Sequence, residues 1–397
     1  MSCDYSVPVP LLRFLGTCIY GNAGAYYKGL SEAERAELEA QGKYFGFQAW
    51  FYRYLCDVLP ETKKSEYQRL YRIRQVRAMM DEQALKRLYG VLAEHGLRFV
   101  PIKGADLAFR LYPDAALRGY SDWDIWFHPD DCERALAVLK DDGWTVSSSH
   151  EDDHEIRKKA FTHHYSPRRR GPHKVEPHFS LAHFFGCDPH EMWECTCPFD
   201  GTRRVLSPEM NILMLARHAS IRSYYHAVLP KLLTDMAIVM RSGEVDFTKL
   251  RELAERWHFP YPGDLMAAFP EFFPPDVIRS LDADQAKAKS YRSVFEYRGK
   301  LGESLSVSLF LSRYEARGNI AGGLRERFRE HSLTTMRGVY GLPRQGAWGR
   351  VAWAYLHWFC TRSWRARFWL RRTKGLLEYG RMVEEIESRK PRSDETA

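Results

Sequence analysis

Residues 97–128 read LRFVPIKGADLAFRLYPDAALRGYSDWDIWFH. Leu97 to Ile102 is an apolar run with β-branched members, set between Gly96 and Gly104, and that pattern predicts a buried strand. Lys103-Gly104 then reads as a turn into a short helix over Ala105 to Leu111, which Tyr112-Pro113-Asp114 ends. Arg118, Gly119 and Tyr120 lead to Ser121-Asp122-Trp123-Asp124, and the apolar run Ile125-Trp126-Phe127 predicts a second strand. Side chains alternate along a strand, so Asp122 and Asp124 share one face and Trp123 takes the other. Two carboxylates on one face repel, and they become tolerable when solvated or when a divalent cation sits between them. Hard oxygen ligands of this kind suit Mg²⁺ or Mn²⁺.

Working outward, residues 1–95 read as an N-terminal helical region. Ser31-Glu32-Ala33-Glu34 is a capping box. Tyr44 to Leu59 and Tyr67 to His95 carry apolar residues at helical spacing, and Gly96 closes the second of them. On the other side, Pro129 to Lys140 predicts a helix and Trp144 to Val146 a strand. A polar, His-rich segment runs from Ser147 to Gly171, with Phe161 to Tyr165 as a candidate strand and Arg168 to Gly171 as a hairpin or loop tip. Lys174 to Phe179 returns as a strand. Residues 96–205 thus read as a small mixed-sheet core. Residues 206–343 read as a helical domain, in which Ser207 and Pro208 open the first helix. Leu229 to Met240 and Phe247 to Trp257 follow as helices, and Pro260 to Pro275 reads as a connection. Residues 344–397 form a basic Trp/Arg-rich helix and a polar tail. The fold class expected is α+β, with helical regions on both sides of the sheet.

The chain of 397 residues is long enough for two or three domains with real cores. Its 8 cysteines fall in no framework pattern, which favours a reducing cytoplasm. No apolar run is long enough to span a bilayer. Pro8 to Tyr20 imitates a secretion signal, but Asp4 and Arg13 break the pattern. The net charge is +8, and eight Lys/Arg with no acid between Arg344 and Lys374 match that excess. This segment interleaves Trp348, Trp353, Trp358, Trp364 and Trp369 with arginines. It reads as a packed helix with solvated Arg, as a peripheral membrane surface, or as an RNA-binding surface.

The order of Lys103-Gly104, Arg118, Ser121-Asp122-Trp123-Asp124 and Glu176-Pro177-His178 resembles the nucleotidyltransferases of the DNA polymerase beta superfamily. More narrowly, it is similar to a bacterial family of uncharacterised nucleotidyltransferases, over about residues 40–260. The Asp in the apolar helix Leu232-Leu233-Thr234-Asp235-Met236-Ala237 belongs to the same likeness. The resemblance implies that Asp122, Asp124 and Glu176 hold metal, with two Mg²⁺ ions expected and Mn²⁺ as the substitute. It also implies that the Gly104 turn touches the nucleotide phosphates; Lys103, unless it points to the core side of its strand, Arg118, Ser121 and His178 are read beside it as nucleotide-binding. The activity it implies is transfer of a nucleoside monophosphate from an NTP to an acceptor hydroxyl on a small molecule, a protein or an RNA. Two features depart from the superfamily pattern. Ala105 stands where a hydroxyl residue often follows the Gly, and Pro177 sits inside a strand, where it is tolerated mainly at edges or bulges.

Several residues have two readings from sequence. Gly104 serves either a close backbone approach to phosphate at a helix N-terminus or a plain strand–helix turn. Arg118 binds phosphate or pairs with a carboxylate. His178 orients a carboxylate, touches substrate, or is a packed histidine. Asp235 is a buried hydrogen-bond partner or a substrate contact. Cys195 and Cys197 with His183 or His190 have some of the chemistry of a zinc site without its usual spacing, against a reading as unligated residues. Two other functions compete with nucleotidyl transfer: a sugar transferase that uses Asp-x-Asp to hold a nucleotide-sugar, and a binding protein on a degenerate transferase fold. The sugar-transferase reading is the weaker, because there the apolar strand usually precedes the Asp-x-Asp.

Overall fold

The computed structural model describes residues 7–146, 167–181, 188–222, 229–242, 245–257, 261–289 and 291–292. Within it, Pro8–Tyr291 form one compact unit. The Trp/Arg segment, the candidate strand at 161–165, His183 and most of 276–343 lie outside the described residues.

Phe99–Ile102 (β1) and Trp123–Phe127 (β2) pair antiparallel, with Ile102 opposite Asp124. His173–His178 (β5) lies parallel to β2 on its other side, and Asp124 faces Glu176 in that register. Arg168–Arg170 (β4) and Thr145–Val146 (β3) complete a five-stranded mixed sheet in the order β1-β2-β5-β4-β3. A hairpin is present here, but Arg168–Arg170 of the expected tip is strand, and only Gly171 lies in the turn, with the positive φ of 59° that the turn needs. Among the described residues, β4 pairs β5 at His173, Lys174 and Val175, and Pro177 lies past that pairing.

One face of this sheet carries Trp123, Ile125, Phe127 and Val175, all buried. Against it pack Leu85, Leu88, Tyr89 and Leu92 from the C-terminal half of the long helix Glu61–Glu94 (α5), and Ala135 and Leu139 from Cys132–Asp141 (α7). The apolar spacing on each helix matches the strand alternation, so two periodicities agree on one core. Between β1 and β2 runs the helix Lys103–Arg110 (α6). The helix includes Lys103 and Gly104, so no separate turn precedes it. The positive φ falls on Lys103 at 59°, whereas the sequence puts the expected turn glycine one residue later.

The N-terminal helices are Val9–Tyr20 (α1), Ala23–Gly29 (α2), Glu32–Phe45 (α3) and Gln48–Leu55 (α4), followed by α5. The capping box at Ser31 and Glu34 forms as expected. The apolar stretch at Pro8 to Tyr20 is buried as α1. After the sheet come Pro189–Trp193 (α8), the hairpin Thr196–Pro198 (β6) with Arg204–Leu206 (β7), and Pro208–Arg222 (α9). Then follow Leu229–Arg241 (α10), Phe247–Arg256 (α11), Pro262–Ala267 (α12) and Pro275–Ser280 (α13). The reading of Pro260 to Pro275 as a connection is corrected. Tyr261, Phe269, Phe272 and Phe273 are buried, and a Cβ on Gly16 of α1 would meet the Phe272 carbonyl oxygen at 2.5 Å. The aromatic residues there are core, and the prolines start short helices instead of marking a linker. Among the described residues, no helix is long and apolar enough to cross a membrane.

Candidate active site

The parallel pairing of β2 with β5 sets the site. Asp124 and Glu176 are register partners, and His178 lies two residues on from Glu176 along the same face. Single ligand atoms of Asp124, Glu176 and His178 lie within 4.8 Å of one another. Asp122 sits just before β2 and is tied to the same group through Lys174. The Lys174 ammonium donates to Asp122 Oδ2 at 2.9 Å and to Glu176 Oε1 at 2.8 Å. Asp124 Oδ1 accepts from Lys103 Nζ at 3.1 Å and lies 2.8 Å from His178 Nε2. Burial alone would raise the Asp124 pKa, but the Lys103 charge and the His178 hydrogen bond hold it well below the usual carboxylate range. Burial likewise opposes the charge on Lys174, yet its hydrogen bonds to Glu176 and Asp122 raise its pKa. Two ammonium groups therefore hold together three carboxylates that would otherwise repel. Because the donors are mostly oxygen and converge on a small volume, they also fit a divalent cation.

These carboxylates form one side of an open cleft of about 590 Å³. The same cleft is also lined by cations, Arg74 and Arg77 of α5, Arg118, and Lys231 of α10. Lys103, Gly104 and Ser121 also line it. Ser121 Oγ donates to Asp122 Oδ1 at 3.1 Å.

Arg118 is the residue whose two sequence readings separate most clearly. Its Nε and Nη2 donate to the two oxygens of Asp235 at 2.7 and 2.8 Å, and Tyr112 Oη donates to Oδ1 at 2.6 Å. Burial alone would lower the Arg118 pKa, but the Asp235 charge and hydrogen bonds keep it above the ordinary arginine value. Arg118 is thus a fixed cation at the cleft wall, and Asp235 is the buried partner that fixes it. Gly104 is needed for packing: a Cβ there would lie 2.9 Å from Tyr120 Cβ and 3.6 Å from Arg118 Nη1. The backbone approach expected at Gly104 is closed on that side, although the helix start itself has no side-chain cap.

Sequence reading did not single out Arg74, Arg77, Lys174 or Lys231. The α5 arginines look like any solvated pair on an Arg-rich helix. Lys231 did carry a signal, because it and Asp235 are the only charged residues in the otherwise apolar Leu229–Met240. The zinc reading finds no support among the described residues. His190 approaches His128 and Asp130, away from Cys195 and Cys197. There the Arg98 guanidinium already stands 3.2 Å from His128 Nε2 and 3.3 Å from Asp130 Oδ2.

A family model described as uncharacterised nucleotidyltransferase matches residues 52–268, over half of the 397-residue chain. The match spans α5, the whole sheet and α10, so it takes in every wall of the cleft. No curated protein and no solved structure matches the chain.

Proposed function

The chain belongs to the uncharacterised nucleotidyltransferase family, and from that premise we propose that it moves a nucleoside monophosphate from an NTP to an acceptor hydroxyl with the help of Mg²⁺. The observation that carries this reading is the Asp124–Glu176 register pair, with Asp122 beside it, in one cleft with Arg74, Arg77, Arg118 and Lys231. A site built for a polyphosphate needs this division, with carboxylates for metal at the reacting phosphorus and cations for the rest of the charge.

Asp122, Asp124 and Glu176 would hold the metal, and His178 would keep Asp124 turned toward it. When bound, the metal polarises the α-phosphate and favours ionisation of the acceptor hydroxyl. The acceptor oxygen bonds to the α-phosphorus as the bond from that phosphorus to the β-bridging oxygen breaks. Pyrophosphate leaves, and the hydroxyl proton passes through the carboxylate group to solvent. Lys174 must yield its place between Asp122 and Glu176 for this to happen, since one carboxylate oxygen cannot serve both cations at full strength.

A second reading rests on that same lysine. If Lys174 keeps the carboxylates closed, the fold serves as a binding module without transfer. The test is incubation of the full chain with each α-³²P-labelled NTP, Mg²⁺ and host lysate, beside the Asp122→Ala and Asp124→Ala variants. Label should enter an acceptor with the intact chain and fall at least a hundredfold with either variant. The transfer reading is abandoned if no NTP labels anything while calorimetry shows no metal binding to the same preparation. Metal-dependent NTP binding without transfer would favour the module.

A further inference from the structure

Two cations in the cleft have no carboxylate in hydrogen-bond or ion-pair contact among the described residues. Asp235 lies one helical turn from Lys231 on α10, but Arg118 and Tyr112 occupy its carboxylate. Among the described residues, Lys231 is left without a hydrogen bond or ion pair. It is half-buried, and burial lowers its pKa, with the Arg118 and Arg74 charges pushing the same way and the Asp235 charge opposing them. Arg74 reaches the cleft from α5. Its Nη2 donates to the Gly46 carbonyl at 3.0 Å, while the fully buried Nη1 finds no partner. An unpaired, partly desolvated cation weakens a fold, and two of them facing one cavity point to an anion that joins them there.

The place where related folds are expected to hold phosphate is altered here. Tyr120 and Arg118 cover the face of Gly104, and Ala105 offers no hydroxyl. We propose that Arg74 and Lys231 form a phosphate-tail subsite, which holds the β- and γ-phosphates of the nucleotide while the α-phosphate sits at the carboxylates. This rests on the nucleotidyl-transfer reading for the identity of the ligand, though not for the existence of an anion site. Most of the charge of an NTP lies on those two phosphates, and they become the leaving pyrophosphate. Cations in the same cleft therefore stabilise both the bound tail and the product that departs. The backbone phosphate of a polymeric acceptor would be a different ligand: it would meet the exposed rim residues before it met two half-buried groups.

The probe is inorganic tripolyphosphate, titrated calorimetrically into the metal-free full chain, with AMP as the comparison. Wild type should bind tripolyphosphate. Lys231→Met and Arg74→Met should each weaken that binding about tenfold or more and leave AMP binding nearly unchanged. Lys231→Arg should restore most of it. In the transfer assay the same variants should raise KM for NTP more than they lower kcat. Lys231→Met should also melt at a higher temperature than wild type without ligand, because it removes an unpaired charge; this guards against loss of binding through misfolding. Equal tripolyphosphate affinity in wild type and Lys231→Met overturns the proposal, as does the absence of binding to wild type. The two readings fail separately. Tripolyphosphate binding that depends on Lys231, in a chain that transfers no label, leaves the subsite standing and removes the transferase. Transfer with an unchanged KM in Lys231→Met does the reverse.

Discussion

Asp131 stands where β2 turns into α7, and Arg98 at the start of β1 closes on it. The Arg98 backbone N–H donates to Asp131 Oδ2 at 3.1 Å and its Nε at 2.7 Å, while Arg134 Nη1 reaches Oδ1 at 3.1 Å. Burial alone would raise the Asp131 pKa, but the Arg98 hydrogen bonds and charge lower it. The sign of the pH dependence follows. A folded pKa below the unfolded value of about 3.9 stabilises the fold at pH above that value, and the contribution is lost as pH falls through the folded pKa. Asp131→Asn should therefore cost roughly 1.5–3 kcal/mol at pH 7, the scale of buried hydrogen bonds to charged groups. Urea unfolding at pH 7 and at pH 3 checks this: the gap between wild type and variant should narrow at the lower pH. A gap that stays constant would mean that shape, and not charge, holds the corner. Residue-scale reading of this kind was partly within reach of the sequence. Strand alternation puts Asp122 with Asp124 and Glu176 with His178, the resemblance implies that the two pairs meet, and the fold brings them together. Arg74 was not legible, because its role depends on which side of α5 meets the cleft, and that is fixed by packing far from it in sequence.

At the scale of elements, α6 is set by its first two residues. Its N-cap position is Ile102, with no side-chain cap, and Lys103 enters the helix from the left-handed region at φ 59°. That conformation is strained for a residue with a Cβ, and it swings the lysine stem to a place where Nζ meets Asp124. Gly104 then lets α6 lie against Tyr120. The glycine was visible in the sequence and the reason for it was not, since its contact comes from the far side of the loop. Gly104→Ala brings a methyl to 2.9 Å from Tyr120 Cβ, an atom too close to the backbone to move aside cheaply. The expected cost is about 1–3 kcal/mol, read as a lower urea midpoint with an unchanged slope. Tyr120→Ala leaves its own Cβ in place and should not relieve the clash. A neutral Gly104→Ala would show that α6 can shift, and then the Lys103–Asp124 contact is not fixed by the helix. The segment Pro260 to Pro275 gives the opposite lesson. Its composition reads as a linker, yet its rings fill core, because Pro and aromatic content says nothing about whether a second surface such as α1 lies against it.

Across the whole unit, the loop from Tyr112 to Arg118 gathers bonds from parts of the chain that the sequence presents as separate regions. Trp50 Nε1 of α4 donates to the Leu117 carbonyl at 2.9 Å. Tyr71 of α5 donates to Asp114, and Gln75 Nε2 reaches the same carboxylate at 3.2 Å. Tyr112 and Arg118 hold Asp235 of α10. Farther on, Arg241 Nη1 of α10 donates to the Ile19 carbonyl of α1 at 2.6 Å. Helices before and after the sheet thus share buried polar contacts with one loop, and the cleft walls move only if those contacts break. The Asp235–Arg118 pair tests this most directly, since Asp235 is fully buried. Asp235→Leu leaves a buried guanidinium without its carboxylate and should cost about 3–5 kcal/mol. Circular dichroism and tryptophan fluorescence should report the same lowered midpoint, because one cooperative unit unfolds. Adding Arg118→Met to Asp235→Leu should recover much of the loss, since an apolar pair replaces a stranded charge. If the two probes part company in Asp235→Leu, with fluorescence changing well before helix content, α10 is docked to the sheet and not folded with it, and the cleft is then a joint between modules that Arg118 merely latches.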